Sequence, residues 1–474
     1  MTDTLAPLSR RQSYHRRGTE LASTLMVQVF GNKPYPWQQD VIAHLGCMRI
    51  SDSGVHPAPV LLVRPTGGGK SAVRDVYSVM NGGFSLTITP LLSLGADQEE
   101  KITLKAKHTT GRVLSVHLDE VRSLAVQQEV IKELKAIPHD GHTTVVLFSS
   151  PQAILNKTFL WKAFLSWLIE SRRLSMVCVD EVHLFVHFGM TFRNEFKQLT
   201  PILFDKLKVT GSSYRTTIPI LFMTGTCSKS IVTMIEKITG IGFDTSSNVF
   251  WPPASEMKHR QVFFDVAYSI QAMSLFKKRV GPLLKETTTD KFIIYTNTRA
   301  TVERITPKVT NWIDLEGYKA DVLKIIGTLL REQKFYHIRV FSKSNHDNVS
   351  VLKECREGAR PFNPQILTAT SGAANAGIDN PDVVGVTRLE FPPSLLDVQQ
   401  EKGRAGRRPH ASSDKDWYLV CLSLETFVVL LKRLYNNPAG NKNTSSYFLT
   451  LEKDLQDALV LLVLPQFCLN ASLE

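Results

Sequence analysis

Short, unbroken apolar runs recurring between longer helix-compatible stretches constrain this chain more than any other feature. They fall at residues 60–63, 86–89, 145–148, 176–179 and 220–223, each followed by a turn. A strand without polar alternation must be covered on both faces, and strands that alternate with helices pair in parallel. The pattern predicts an α/β fold with a mainly parallel, doubly wound sheet. Phe250-Trp251-Pro252-Pro253 interrupts the rhythm, and a second series follows at residues 262–264, 292–295, 338–341, 366–368, 383–387 and 417–421. Two α/β domains in series, over residues 34–250 and 251–435, is the simplest account, and 474 residues are enough for each to bury its own core. Residues 1–33 carry Arg10, Arg11, Arg16 and Arg17 among Ser, Thr and Pro, and read as a flexible basic tail. Residues 436–474 read as an Asn/Gly/Ser-rich linker and a short helix, with Leu451, Leu455, Ala458, Leu459 and Leu462 sharing one face.

Composition narrows the partners. The net charge of +12 and the sequence pI near 9.3 favour a polyanion, of which nucleic acid is the commonest. The longest wholly apolar run, residues 458–464, is far short of the roughly 18 residues a membrane span needs, so no membrane partner is expected. No apolar signal core follows the start, which predicts an intracellular protein. Cys47, Cys178, Cys227, Cys355, Cys421 and Cys468 form no C-x-x-C pair and read as reduced, structural residues.

Two motifs carry chemistry. After the first apolar run comes Arg64-Pro65-Thr66-Gly67-Gly68-Gly69-Lys70-Ser71. Glycines let backbone N–H groups close around phosphate oxygens, and the following helix presents its positive dipole end to them. In such a loop Lys70 reaches the β- and γ-phosphates of ATP and the Ser71 hydroxyl ligates Mg²⁺. Arg64 stands where the strict phosphate-loop pattern has its first glycine; the P-T-G-x-G-K-[ST] form is that of superfamily 2 helicases. The second motif, Asp180-Glu181-Val182-His183, follows the run at 176–179, at the sheet edge where ligands of doubly wound folds sit. Asp180 is expected to hold the Mg²⁺ ion and Glu181 to orient and deprotonate the attacking water.

With these motifs in order, the chain from about Tyr35 to Arg407 resembles the RecQ family of DNA helicases. The stretch from Leu184 to Phe196 is similar to that family's aromatic-rich loop, matching it at Gly189, Phe192, Arg193 and Glu195, with Phe188 and Phe196 replacing other aromatics. The resemblance implies that Phe188, Phe192 and Arg193 contact single-stranded DNA; stacking on such rings contributes ~1–3 kcal/mol per base. Tyr35-Pro36-Trp37-Gln38 resembles the R-P-x-Q element, which implies that Gln38 reads the adenine edge and Tyr35 stacks on the base. The boxes around Pro90 and Ser93, and around Pro151, are similar to those lining the strand-binding groove, and Thr224-Gly225-Thr226-Cys227 stands for T-A-T-A.

In the second half, the boxes ending at Arg299 and starting at Thr368 are identified with nucleic-acid contacts, and Gly377, Asp379 and Gln400 with the nucleotide. Gln400-Glu401-Lys402-Gly403-Arg404-Ala405-Gly406-Arg407 matches Q-E-x-G-R-A-G-R at every fixed position, which implies that Arg404 and Arg407 reach the γ-phosphate, Arg407 as the arginine finger. The family resemblance thus implies two tandem RecA-like domains and a short helical C-terminal extension. It also implies ATP and Mg²⁺ as cofactors, single-stranded and duplex or junction DNA as partner, 3′→5′ movement, and a nuclear location in recombination and repair. The ending from Cys468 to Glu474 resembles the start of the family's zinc subdomain, as in a chain that stops short of it. The residues leave open an RNA helicase or duplex translocase on the same frame, and a non-catalytic binding module derived from a helicase.

Overall fold

The computed structural model describes residues 19–28, 31, 33–46, 57–65, 68–89, 112–138, 143–187, 195–227, 229–252, 261–267, 272–285, 290–318, 320–328, 332–337, 364–370, 383–390, 392, 395–406, 416–423 and 428. The chain divides into two compact units, Met1–Pro253 and Ala254–Glu474.

In the first unit, β1 (Val60–Val63), β2 (Gly83–Ile88), β3 (Arg112–His117), β4 (Thr143–Ser149), β5 (Leu174–Val179), β6 (Ile220–Thr224) and β7 (Val249–Phe250) form one sheet in the order β3-β4-β2-β5-β6-β1-β7. Every pairing is parallel. Helices α1 (Pro36–Gly46) and α2 (Lys70–Asn81) cover one face. Val73, Val76 and Tyr77 of α2 recur at helical spacing and pack with Val41, Ile42, Leu62, Met176, Cys178 and Met223, all fully buried. The opposite face carries an aromatic chain in which Phe204 stands 5.6 Å from Phe196 and 6.0 Å from Phe222, which in turn lies 5.4 Å from Phe243. Phe196 is therefore a core residue, because the residues after the aromatic loop form the helix and π-turn (Thr200–Phe204) that close this face. The expectation of a flexible tail through residue 33 is corrected likewise. Residues 19–28 are helical, Ala22 and Met26 are buried against α1, and Gln39 Nε2 donates to Ser23 Oγ at 2.7 Å. Further along the unit lie α3 (Leu124–Ala136), α4 (Pro151–Leu155), α5 (Trp161–Glu170), α6 (Val182–His187) and α7 (Lys229–Thr239).

The second unit repeats the plan. Strands β8 (Gln261–Ala267), β9 (Lys291–Thr296), β10 (Asp321–Thr328), β11 (Glu332–His337), β12 (Gln365–Thr370), β13 (Val383–Arg388) and β14 (Trp417–Ser423) are ordered β11-β10-β12-β9-β13-β14-β8. All pair in parallel except the β10–β11 hairpin. Helices α8 (Ala272–Lys285) and α9 (Arg299–Leu315) supply Phe276, Val280, Ile305, Val309, Trp312 and Ile313 to a core with Phe292, Ile294, Ile366, Trp417 and Leu419. Burying each such side chain stabilises the fold by roughly 1.5–3 kcal/mol. Thr298 caps α9, its Oγ1 accepting from Thr301 N at 3.1 Å. Gly385 is dictated by a close approach, since a Cβ there would run into the Trp417 indole. A short helix, α10 (Leu395–Lys402), follows β13. The predicted α/β class with mainly parallel, doubly wound sheets is what the chain adopts. The run at 338–341 and the C-terminal helix lie outside the described residues.

Candidate active site

β1, β6 and β5 lie side by side in the first sheet, and their carboxyl ends deliver the phosphate loop, Thr224-Gly225 and Asp180-Glu181 to one edge. Arg64 N donates to Thr224 O at 3.0 Å, which fixes the start of the loop to the end of β6. The loop then turns, with Gly68 N on Pro65 O at 2.9 Å, and Gly69 adopts φ 87° before α2 begins. Only glycine takes that backbone without strain, and a Cβ on Gly69 would also meet Gln38 Nε2 at 2.7 Å. Lys70 is 7% exposed, its ammonium donating to Arg64 O at 2.9 Å and Pro65 O at 3.3 Å. Ser71 is half-buried in the first helical turn.

Gln38 ties the Tyr35-Gln38 element to this loop. Its Oε1 accepts from Tyr35 N at 2.8 Å and its Nε2 donates to Gly69 O at 3.0 Å. The amide is thus engaged with the chain at both ends, and reading an adenine edge would fall to its second N–H. Tyr35 is 62% exposed and stacks on Trp37 at 6.4 Å and 7°, while the Arg64 guanidinium lies 4.4 Å from the Trp37 ring centre. Arg64 and Trp37 were not singled out as site residues by the sequence. Arg64 in place of the loop's first glycine was the available signal.

The carboxylates are built on strain and burial. Asp180 is 4% exposed and its Oδ1 accepts from Glu181 N at 2.9 Å. Glu181 has φ 46°, a left-handed conformation that costs a non-glycine residue about 1–2 kcal/mol. Its Oε2 accepts from Gly225 N at 3.2 Å and lies 3.3 Å from His183 Nδ1. His183 Nδ1 is also 2.6 Å from Thr224 Oγ1. Because the Thr224 hydroxyl donates to Thr226 O at 2.7 Å, it accepts from the imidazole, and Nδ1 carries the proton. A hydrogen-bonded relay thus runs from the acidic pair to the Thr224-Gly225-Thr226 turn. Beneath it, Arg74 of α2 is 1% exposed and paired with Asp75 at 2.5 Å, its guanidinium 5.2 Å from the Phe148 ring centre. Burial opposes the Arg74 charge, but the carboxylates of Asp75 and Asp180 outweigh it and hold the guanidinium protonated.

These residues fit a magnesium nucleotide: a glycine-turned loop, an ammonium and a hydroxyl at a helix start, and a buried carboxylate beside a strained one. Lys70 and the loop amides would hold the phosphates; Ser71 and Asp180 would hold the ion.

Elsewhere the structure buries two residues expected to contact nucleic acid. Thr368 is fully buried inside β12, donating to Thr306 Oγ1 at 2.7 Å, because that hydroxyl is itself committed to Val302 O. It packs the sheet against α9. Pro151 is buried as the first residue of α4, whose cap Ser150 is held by Asp119, with Ser150 N donating to Oδ2 at 2.8 Å. In the second unit Gln400 and Arg404 are 7% and 3% exposed. Arg299 begins α9, its side chain outside the described residues, as are Thr66, Gly67, Pro90, Ser93, Phe188, Phe192, Arg193, Gly377, Asp379 and Arg407.

The chain matches the DEAD/DEAH box helicase family over residues 35–234, the stretch that contains the whole of this arrangement. It carries a DEAD/DEAH box helicase domain. Its similarity to RecQ-family DNA helicases runs further. It is 24% identical over 403 residues to the ATP-dependent DNA helicase hus2/rqh1 of Schizosaccharomyces pombe, covering 79% of this chain and 25% of that one. It is 25% identical over 367 residues to the ATP-dependent DNA helicase RecQ of Pasteurella multocida, covering 76% of this chain and 48% of that one. The chain therefore spans a quarter of the first relative and about half of the second. Among solved structures it is similar to S. cerevisiae Dbp5 bound to RNA and ADP BeF3, with TM-score 0.55, 14% identity, and 93% and 98% of the two chains covered. That likeness is one of fold. Among the described residues no helix is long and apolar enough to cross a membrane.

Proposed function

We propose that this protein is an ATP-dependent DNA helicase that translocates 3′→5′ on single-stranded DNA and unwinds duplex or branched DNA in recombination and repair. The single observation that carries the reading is the convergence of Lys70, Asp180, Glu181 and His183 on one sheet edge, wired through Thr224 and Gly225. Bound ATP with Mg²⁺ supplies a phosphoanhydride whose cleavage releases free energy for movement. Lys70 binds the phosphate oxygens, releasing the carbonyls of Arg64 and Pro65. Asp180 would hold the ion with a carboxylate already fixed by the Glu181 amide. Glu181 takes a proton from the attacking water, and its Oε2 is aimed by the Gly225 amide and His183. A change at Glu181 is passed to Thr224 and the turn after β6, a route from hydrolysis to conformational change.

DNA as the polymer is supported by the RecQ relatives, 3′→5′ as the direction is what the family resemblance implies, and the net charge of +12 supports a polyanion of either kind. A nuclear location accompanies that reading. Strand displacement on 3′- and 5′-tailed DNA duplexes, with and without ATP, tests it. ATP-dependent release of the 3′-tailed substrate is expected; release of only 5′-tailed DNA, or of RNA duplexes alone, would overturn the direction or the substrate.

A further inference from the structure

The second unit contains a buried charge network that the chemistry above does not use. Arg388, the last residue of β13, and Glu401, in the last turn of α10, are both wholly buried and pair at 2.6 Å between Nη1 and Oε1. Arg388 Nε donates to Glu390 O at 3.0 Å and Nη2 to Asn297 Oδ1, while Glu401 Oε2 accepts from Tyr418 OH at 2.9 Å. Glu390 in turn accepts from Asn297 N and, at 3.0 Å, from Thr301 Oγ1. The network therefore joins the ends of β9 and β13, the first turn of α9, α10 and β14.

An ion pair this deep is a poor means of adding stability, since apolar residues of similar volume are often as good or better. What it does supply is a fixed geometry, and the chain shows what is fixed. Arg404 lies between two anchors on the same strand: Glu401 is tied to Arg388 at one end of β13, and Gly406 N donates to Val383 O at 2.9 Å at the other. Within that span Arg404 N donates to Glu401 O at 3.0 Å. Asn297, at the far side of the network, immediately precedes the Thr298 cap and Arg299.

We infer that Arg388 and Glu401 are positioning residues that lock the Arg404 turn and the start of α9 into one rigid piece of the second unit. The inference rests on the motor reading, in which the Arg404 turn serves ATP turnover and the Arg299 segment serves nucleic acid. The test compares full-length wild type with the apolar exchange R388M/E401L and the isosteric E401Q. Amide exchange in residues 402–406 is expected to quicken about tenfold or more in the apolar exchange, with β9 and β12 unchanged. Nucleic-acid-stimulated kcat is expected to fall about tenfold or more, with KM for ATP and the melting temperature close to wild type. In an R404A background the apolar exchange should then cost little further kcat, because the pair acts through that arginine. Unchanged exchange at residues 402–406 overturns the proposal, as does a loss of activity that only tracks the folded fraction. Should R388M/E401L not fold, E401Q decides by the same two readings. A wild type without nucleic-acid-stimulated ATP turnover would instead defeat the motor reading, and the exchange measurement would still decide this one.

Discussion

Lys70 shows how much a single side chain carries. Its ammonium is held by two carbonyls of its own loop, so alanine there removes the cation without leaving a buried charge unpaired. K70A is expected to fold normally by circular dichroism and to lose ATP turnover by at least about a hundredfold, a loss typical of removing a preorganised charge. Thr368 makes the opposite case. The family pattern places it among nucleic-acid contacts, yet its hydroxyl is buried against Thr306. T368V should lower stability by about 0.5–1.5 kcal/mol in a denaturant titration, the usual worth of one hydrogen bond, and leave the affinity for single-stranded DNA unchanged. A weakened affinity with unaltered stability would return Thr368 to the binding surface. Cys178 belongs here too: burial pushes its thiol well above the ordinary range, in keeping with the structural role read from the isolated cysteines.

At the scale of elements, the strands legible in the sequence are those sandwiched by helices. β1, β5 and β6 are buried along their whole length, with Ser175 and Thr224 as their polar residues, because both faces are covered. β3 escaped notice because it is an edge strand, half exposed over most of its length, and its Arg-Val-Leu-Ser-Val-His reads as neither a buried run nor a clean alternation. The β10–β11 hairpin is less legible because Asp321, Lys324, Glu332 and Lys334 break its strands into short apolar pieces rather than one unbroken run. The same sheet makes a pH prediction. Burial, and then the nearby Glu401 carboxylate, push the Tyr418 phenol well above its usual range. The folded state therefore binds that proton more tightly than the unfolded chain does, so the contribution is complete below the unfolded value of about 10 and fades as pH rises through the folded one. In thermal melts the advantage of wild type over Y418F should be constant at neutral pH and shrink above about pH 10. An advantage that stayed constant into strong alkali would mean that Tyr418 does not titrate with folding.

For the whole molecule, the excess of positive charge makes binding to nucleic acid a salt-dependent event. The affinity for single-stranded DNA should fall linearly on a double-logarithmic plot against salt concentration, with a slope of about −0.7 per phosphate contact. A flat response would remove phosphate contacts from the binding mode. By itself the sequence determined the α/β class with its parallel sheets, the phosphate loop and the acidic pair, because periodicity and glycine placement are local properties that no neighbour can hide. It also held the order of the boxes on which the family likeness rests. Only the tertiary structure decided that His183 meets Thr224, that Gln38 grips the phosphate loop, that Thr368 and Phe196 are core, and that Arg388 and Glu401 are paired. Each of these joins residues far apart in the chain, and a side chain's partner across a sheet is set by register and packing that the one-dimensional pattern does not contain.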